Sequence, residues 1–343
     1  MHGNRTALRS IATLLAAFVI AFADPTAADV RSGTLKGGVA YSLPEWFKQS
    51  FLDFRDDVEE ARKQGKHVMV FLHLDECPYC ARMLKENFVS GSSREFIDTN
   101  FDVIDINVLG SLKVAWIDGT TYTEKALAAK LNAVATPTIV FLGLDGTKVL
   151  QLTGYRDPRA LHYALTYVRT RSYRNQSFAA YVAAQDRPAL YAFREHPQFS
   201  SVTNFKGYKQ PLAILFEDRH CAECARFHDK TLNHPDVIAE MKRFLFVRLD
   251  ADSDQPIVDP AGKTTTPAQW VKAMGLSYRP AVVLFNEGRE IYGIDGALYH
   301  FHFQEALRYV SGGYYKRFDS LSEYRAAYRA ELLGKGIDID FAE

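Results

Sequence analysis

At 343 residues the chain is longer than one ordinary hydrophobic core supports, which predicts two domains. Its 47% hydrophobic and 24% charged residues describe a globular protein able to bury a core, and its 41 basic residues balance 41 acidic ones. With no net field and no basic block interleaved with aromatics, nucleic acid is not an expected partner.

Taken from the N-terminus, residues 1–28 carry the pattern of a secretory leader. Arg5 and Arg9 precede "IATLLAAFVIAFA" (11–23), an uncharged run. A run this short spans a hydrocarbon core of ~30 Å poorly. Ala21-Phe22-Ala23 and Thr26-Ala27-Ala28 offer small residues for cleavage after Ala23 or Ala28. The alternative is an uncleaved anchor. Either way the rest of the chain faces an oxidising compartment, where cysteines that serve as staples close long loops. Here all four sit instead in two C-x-x-C pairs, "CPYC" (77–80) and "CAEC" (221–224). Such small loops restrain little, so the pairs point to chemistry.

The chain repeats around these pairs. Cys77 to Cys221 and Cys80 to Cys224 are both offsets of 144, and Pro137 to Pro280 is 143. "HVMVFLHL" (67–74) and "PLAILFED" (211–218) read as buried strands, each followed by a helical pattern from the second cysteine. Second strands lie at 101–109 and 244–252, and turn-plus-helix segments at 118–131 and 261–274. A proline, a strand and a turn come at 135–146 and 278–288, with closing amphipathic helices at 158–168 and 302–310. The expected fold class is α/β, two tandem units each with a mixed sheet flanked by helices. The expected organisation is domain 1 at 40–171, a linker at 172–208 with one short helix, domain 2 at 209–316, and a helical tail at 317–343 ending at Gly334 or Gly336.

A C-x-x-C at a strand–helix junction, with a later proline opening a strand, resembles the thioredoxin fold. The spacing from Cys80 to Pro137 and the segments around it resemble SoxW-type periplasmic thioredoxins, over roughly 43–170 closely and 209–311 more weakly. The resemblance implies a periplasmic thiol–disulfide oxidoreductase. Cys77, Cys80, Cys221 and Cys224 would be the redox groups, with no bound cofactor or metal. Cys77 would attack a substrate disulfide from a helix N-terminus, and Cys80 would resolve the mixed disulfide. Pro137 is expected to be cis, with Thr136 beside the dithiol binding an extended substrate, although Thr136-Pro137 also suits a plain strand start. Pro78 and Tyr79 complete the first substrate surface, and Arg279 and Pro280 the second. Expected partners are protein disulfides and a membrane electron donor or other redox partner.

The pattern is broken at several places. A buried aspartate common six residues before the first cysteine is absent, with Phe71 and Leu215 in its place. His73 and Glu217, two residues further on, are candidate substitutes or ordinary strand-end residues. In the second copy Glu223 opposes thiolate formation, His220 favours it, and Arg279 replaces the small Thr136. The second pair is therefore expected to serve fewer partners, with a degenerate structural copy as its alternative. The direction of electron flow leans towards reduction or isomerisation. Two other classes compete, a redox-silent binding scaffold and a four-cysteine zinc site. The second is disfavoured because its pairs usually lie ~15–20 residues apart.

Overall fold

The computed structural model describes residues 31–90 and 93–342; the expected leader at 1–28 lies outside the described residues. A two-residue strand, β1 (Leu35–Lys36), comes first. α1 (Phe54–Lys63) starts where the Asp53 side chain accepts the Arg55 N–H, and it buries Phe54, Val58 and Ala61. In β2 (His67–His73) every residue is buried. α2 (Pro78–Met83) begins directly after Cys77 and widens into π-helical turns over Leu84–Val89. Then come α3 (Arg94–Asn100), β3 (Phe101–Asn107) and an antiparallel pair, β4 (Lys113–Ala115) and β5 (Thr121–Thr123). α4 (Glu124–Lys130), β6 (Thr138–Leu142), β7 (Lys148–Thr153) and α5 (Pro158–Arg169) complete the first half.

The sheet runs β3-β2-β6-β7. Val70 of β2 sits opposite Ile104 in a parallel pair and opposite Val140 in an antiparallel one. Because β2 is apolar at both odd and even positions, both of its faces are covered. Met69 and Phe71 pack with Phe88, Ile97 and Leu165 on one side; Val68, Val70 and Leu72 pack with Phe54, Val58 and Leu127 on the other. A mixed sheet between two helical layers follows from that pattern.

After α6 (Phe178–Ala183) the plan repeats. β8 (Phe199–Ser200), β9 (Leu212–Glu217) and α7 (Cys224–Arg226) are followed by π-helical turns over Phe227–Leu232, α8 (Pro235–Met241) and β10 (Leu245–Asp250). A small pair, β11 (Ile257–Val258) and β12 (Thr264–Thr265), precedes α9 (Pro267–Ala273), β13 (Ala281–Asn286), β14 (Arg289–Asp295) and α10 (His300–Ser311). α11 (Leu321–Gly334) and β15 (Ile339–Asp340) close the chain. The second sheet runs β14-β13-β9-β10-β8.

Two segments differ from the sequence-based expectation. The stretch read as linker contributes β8, whose Phe199 pairs with Phe246, so the second half draws its edge strand from before residue 209. Two residues carry too little alternation to be read as a strand. The stretch read as a tail is also part of the second half, since Leu321 and Tyr324 of α11 lie in its core. β15 then runs back to pair with β1, Leu35 opposite Ile339.

The halves meet at their cysteine motifs. The Arg82 guanidinium donates two hydrogen bonds of 2.8 Å to the Glu223 carboxylate and lies 3.9 Å from the centre of the Tyr155 ring. The Tyr79 hydroxyl accepts the Tyr299 N–H at 2.6 Å while the two rings stack at 4.1 Å. Arg156 bonds Asp295 at 3.0 Å, and the Tyr278 hydroxyl donates to Asp157 at 3.0 Å.

Glu223 is buried, so its removal takes two hydrogen bonds from the Arg82 guanidinium and leaves it only the partly exposed Glu86, 3.0 Å from its Nε. Glu223→Ala is expected to destabilise the chain by roughly 3 kcal/mol, read as a lower midpoint in chemical unfolding. A double Arg82→Leu/Glu223→Leu variant is expected to recover most of that loss, since the one charge it leaves unpaired, Glu86, is partly exposed to water.

Candidate active site

Cys77 ends the loop after β2 and caps α2, its sulfur accepting the Cys80 N–H at 3.2 Å. Pro78 occupies the first helical turn, where a missing N–H costs nothing. The turn brings Cys80 against Cys77, and the β6 entry supplies the opposite wall. There the Thr136 hydroxyl donates to the Cys77 sulfur at 3.3 Å, and the thiol faces the Thr136 carbonyl at 3.6 Å. Thr136–Pro137 is cis, as is Arg279–Pro280. Both first-pair cysteines are free thiols.

The two thiols have opposite electrostatics. Hydrogen bonding from Cys80, chiefly, and from Thr136 and the backbone outweighs burial and lowers the Cys77 pKa to about 7. Burial, together with the neighbouring Cys77, pushes Cys80 far up. One thiol is prepared to ionise and the other to stay protonated until it is needed.

Phe71 and Leu215 are fully buried among apolar neighbours, so no carboxylate stands where the aspartate would be. His73 is buried and bonded. Its Nδ1 lies 2.8 Å from the Tyr41 hydroxyl, which also donates to the Leu74 carbonyl at 2.7 Å, and its Nε2 lies 3.5 Å from Asp105. Tyr41 packs against the cluster that holds both thiols. Burial first, then the charges of Cys80 and Cys77, pushes its hydroxyl well above the ordinary phenol range.

In the second half Cys221 and Cys224 form a disulfide with an S–S distance of 2.03 Å. Glu217, fully buried, bonds His228 at 2.9 Å and accepts the Tyr191 hydroxyl at 3.2 Å. His220 lies 3.0 Å from the Pro188 carbonyl and 3.6 Å from Asp252. A cavity of about 150 Å³ beside Cys221 is lined by Arg279, Tyr278, Lys272, Arg159 and Ala179.

Several expectations change at this point. Tyr79 does not present a substrate surface: it is buried against Tyr299 and His302 of the other half, because the halves dock through this dipeptide. Glu223 is neutralised by Arg82, so its charge does not stand free to oppose the second thiolate. Arg279 is turned inward, donating to the Tyr278 carbonyl at 2.7 Å and facing Asp218 at 3.5 Å. The open-versus-restricted contrast between the two nucleophiles is also absent, with Cys77 7% and Cys221 4% exposed. Pro137 and Pro280 are buried beside their cysteine pairs, and Pro78 is half-buried. The four cysteines lie in separate halves, one pair already a disulfide, so they form no shared zinc site. Sequence reasoning missed Tyr41, Tyr191 and the Arg82–Glu223 pair. The two tyrosines lie outside any periodic element, and only the lone charge inside "CAEC" hinted at the ion pair.

The thioredoxin-like domain family matches residues 54–169 and again 199–311. A search of curated proteins finds no match. Among solved structures, a thioredoxin-fold protein from Helicobacter pylori is 17% identical, covering 37% of this chain and 94% of its own, with a TM-score of 0.31. A DsbH oxidoreductase is 13% identical, covering 39% and 92%, with a TM-score of 0.27. The C-terminal domain of Neisseria meningitidis DsbD in its reduced form is 21% identical, covering 30% and 82%, with a TM-score of 0.24. Two matched regions with a cysteine pair and a cis-proline in each account for most of the length: the chain belongs to the thioredoxin-like domain family, carrying its domain twice.

Proposed function

We propose that the protein is a periplasmic thiol–disulfide oxidoreductase that needs no bound cofactor and acts by dithiol–disulfide exchange at Cys77 and Cys80. The second pair, Cys221 and Cys224, serves a narrower set of partners. The observation that carries this reading is the paired thiol geometry: the Cys77 sulfur takes hydrogen bonds from the Cys80 N–H and the Thr136 hydroxyl at the start of α2, beside a fully buried Cys80. Cys77 attacks a substrate disulfide, Cys80 attacks the mixed disulfide, and the substrate leaves reduced. Thr136 supports the Cys77 thiolate from across the site.

A thiolate pKa near 7 matches thioredoxin-like reductants better than strong oxidants at ~3.5, which supports the reductive or isomerising direction. Protein disulfides and an upstream redox partner are the expected reactants. The leader-like residues 1–28 support export, and no helix among the described residues is long and apolar enough to cross a membrane. The narrower role of the second pair is supported by its disulfide state beside the free thiols of the first pair, and by the Arg279 side chain that stands where the first half has the small Thr136.

Trapping tests the exchange chemistry. Cys80→Ser is expected to hold client proteins on Cys77 as mixed disulfides that dithiothreitol releases, and Cys224→Ser to hold fewer on Cys221. A protein that traps nothing in either variant would be a scaffold instead.

The thiolate has its own pH signature. Iodoacetamide should alkylate Cys77 with a midpoint near pH 7, below the ~8.5 of a free thiol. Because the folded-state pKa is depressed, the stabilisation of the reduced form is full above the free-thiol value and is lost as pH falls through 7. Thr136→Val removes a donor to the thiolate and should move the alkylation midpoint up by about one pH unit.

A further inference from the structure

Resolution of a mixed disulfide raises a proton problem. When Cys80 attacks Cys77–S–S–R, the Cys77–Cys80 bond forms, the Cys77–S–R bond breaks and R–S⁻ leaves with the electron pair. The cysteine pair is oxidised by two electrons and the substrate reduced. The Cys80 proton must go elsewhere, and Cys80 is fully buried. Phe71 occupies the position of the missing acid.

Both halves carry the same arrangement beside their cysteine pairs. A tyrosine from the segment before each sheet reaches the strand residue four positions ahead of the first cysteine: Tyr41 to His73 at 2.8 Å, and Tyr191 to Glu217 at 3.2 Å. Each tyrosine packs in the cluster that holds its cysteine pair. Each of these strand residues has a second ionisable partner, Asp105 for His73 and His228 for Glu217. Two unrelated tyrosines converging on one geometry in two diverged repeats is difficult to ascribe to packing alone.

We propose that Tyr41 accepts the Cys80 proton as the mixed disulfide resolves and passes its own hydroxyl proton to His73, whose ring Asp105 holds with Nδ1 free, and that Tyr191, Glu217 and His228 are the counterpart for Cys224. This rests on the exchange chemistry proposed above. The Asp105 carboxylate faces Nε2, which keeps the proton on that nitrogen and leaves Nδ1 to accept. The hydroxyl's single proton has two acceptors within reach, Nδ1 at 2.8 Å and the Leu74 carbonyl at 2.7 Å, so it can turn to Nδ1 as the thiol proton arrives. The titratable groups facing Tyr41 are Cys80, Cys77, Asp75 and His73, and those facing His73 are Tyr41 and Asp105. Burial strongly disfavours a free phenolate at Tyr41, so the phenol can take a proton only by giving one up at the same time. Tyr41, packed against the cluster that holds Cys80, is the group that would meet the thiol proton; His73 and Asp105 are positioning residues.

The test uses the full chain with Cys221 and Cys224 replaced by serine, reduced and mixed with dithionitrobenzoate. The first coloured thiolate released reports attack by Cys77, and the second reports resolution by Cys80. No first release would overturn the oxidoreductase reading itself. With the first release intact, Tyr41→Phe, which keeps the ring, should slow the second by on the order of a hundredfold near neutral pH. That defect should shrink as pH rises and hydroxide takes over the proton. Asp105→Asn, a half-exposed change away from the thiols, should slow the second release severalfold. A second release unchanged in Tyr41→Phe, or slowed equally at every pH, overturns the relay. Slowing in Tyr41→Phe alone removes Asp105 from it.

Discussion

The clamp of Glu223 and Tyr155 on the Arg82 guanidinium is the contact on which the rest of the molecule depends. Arg82 lies two residues beyond the first cysteine pair, and Glu223 lies inside the second. A bidentate pair this sheltered holds its geometry firmly, because two parallel charge-assisted hydrogen bonds fix the orientation of both side chains. Tyr79, stacked on Tyr299, fixes the same seam from the other side of the motif. Positions that a lone domain would offer to substrate are thus occupied by the second copy of the fold.

Within that seam, two thiols three residues apart are driven in opposite directions by a few atoms. Cys77 lies at the edge of the hydrophobic cluster, where the Cys80 N–H, the Thr136 hydroxyl and the start of a helix all favour negative charge. Cys80, one turn further in, meets the apolar interior. Groups whose surroundings push their acidities apart divide the labour of a two-step exchange. Here the separation is achieved without the buried carboxylate that the repeat lacks.

The fold was largely legible in the sequence because its signals are local and doubled. "HVMVFLH" and "LAILFE" are apolar at every position but His67, His73 and Glu217 at their ends, a pattern that fits a strand covered on both faces. The matching cysteine and proline offsets fixed their order. What could not be read was whatever depends on contact between elements distant in sequence. Tyr41 precedes any periodic segment, yet it meets His73 across the site. Tyr79 looked available because its burial comes from Tyr299, which lies 220 residues away. β8 is too short to alternate, and α11 shows an ordinary amphipathic helix with nothing to say which core it joins.

The pairing of β1 with β15 has a consequence for the order in which the molecule is finished. Leu35 and Lys36 find their ladder partners only in Ile339 and Asp340, and Gly33 and Thr34 bond to Leu333 and Asp338. The segment just downstream reaches the first cysteine loop, with Val39 bonded to Glu76 and Tyr41 set beneath the thiols. During synthesis from the N-terminus, the first half can therefore assemble its sheet early, as domains generally do. The strand just ahead of Tyr41 has no mate until Ile339 and Asp340 have emerged. The earliest cysteines to appear thus acquire their complete surroundings only after the second half has been made.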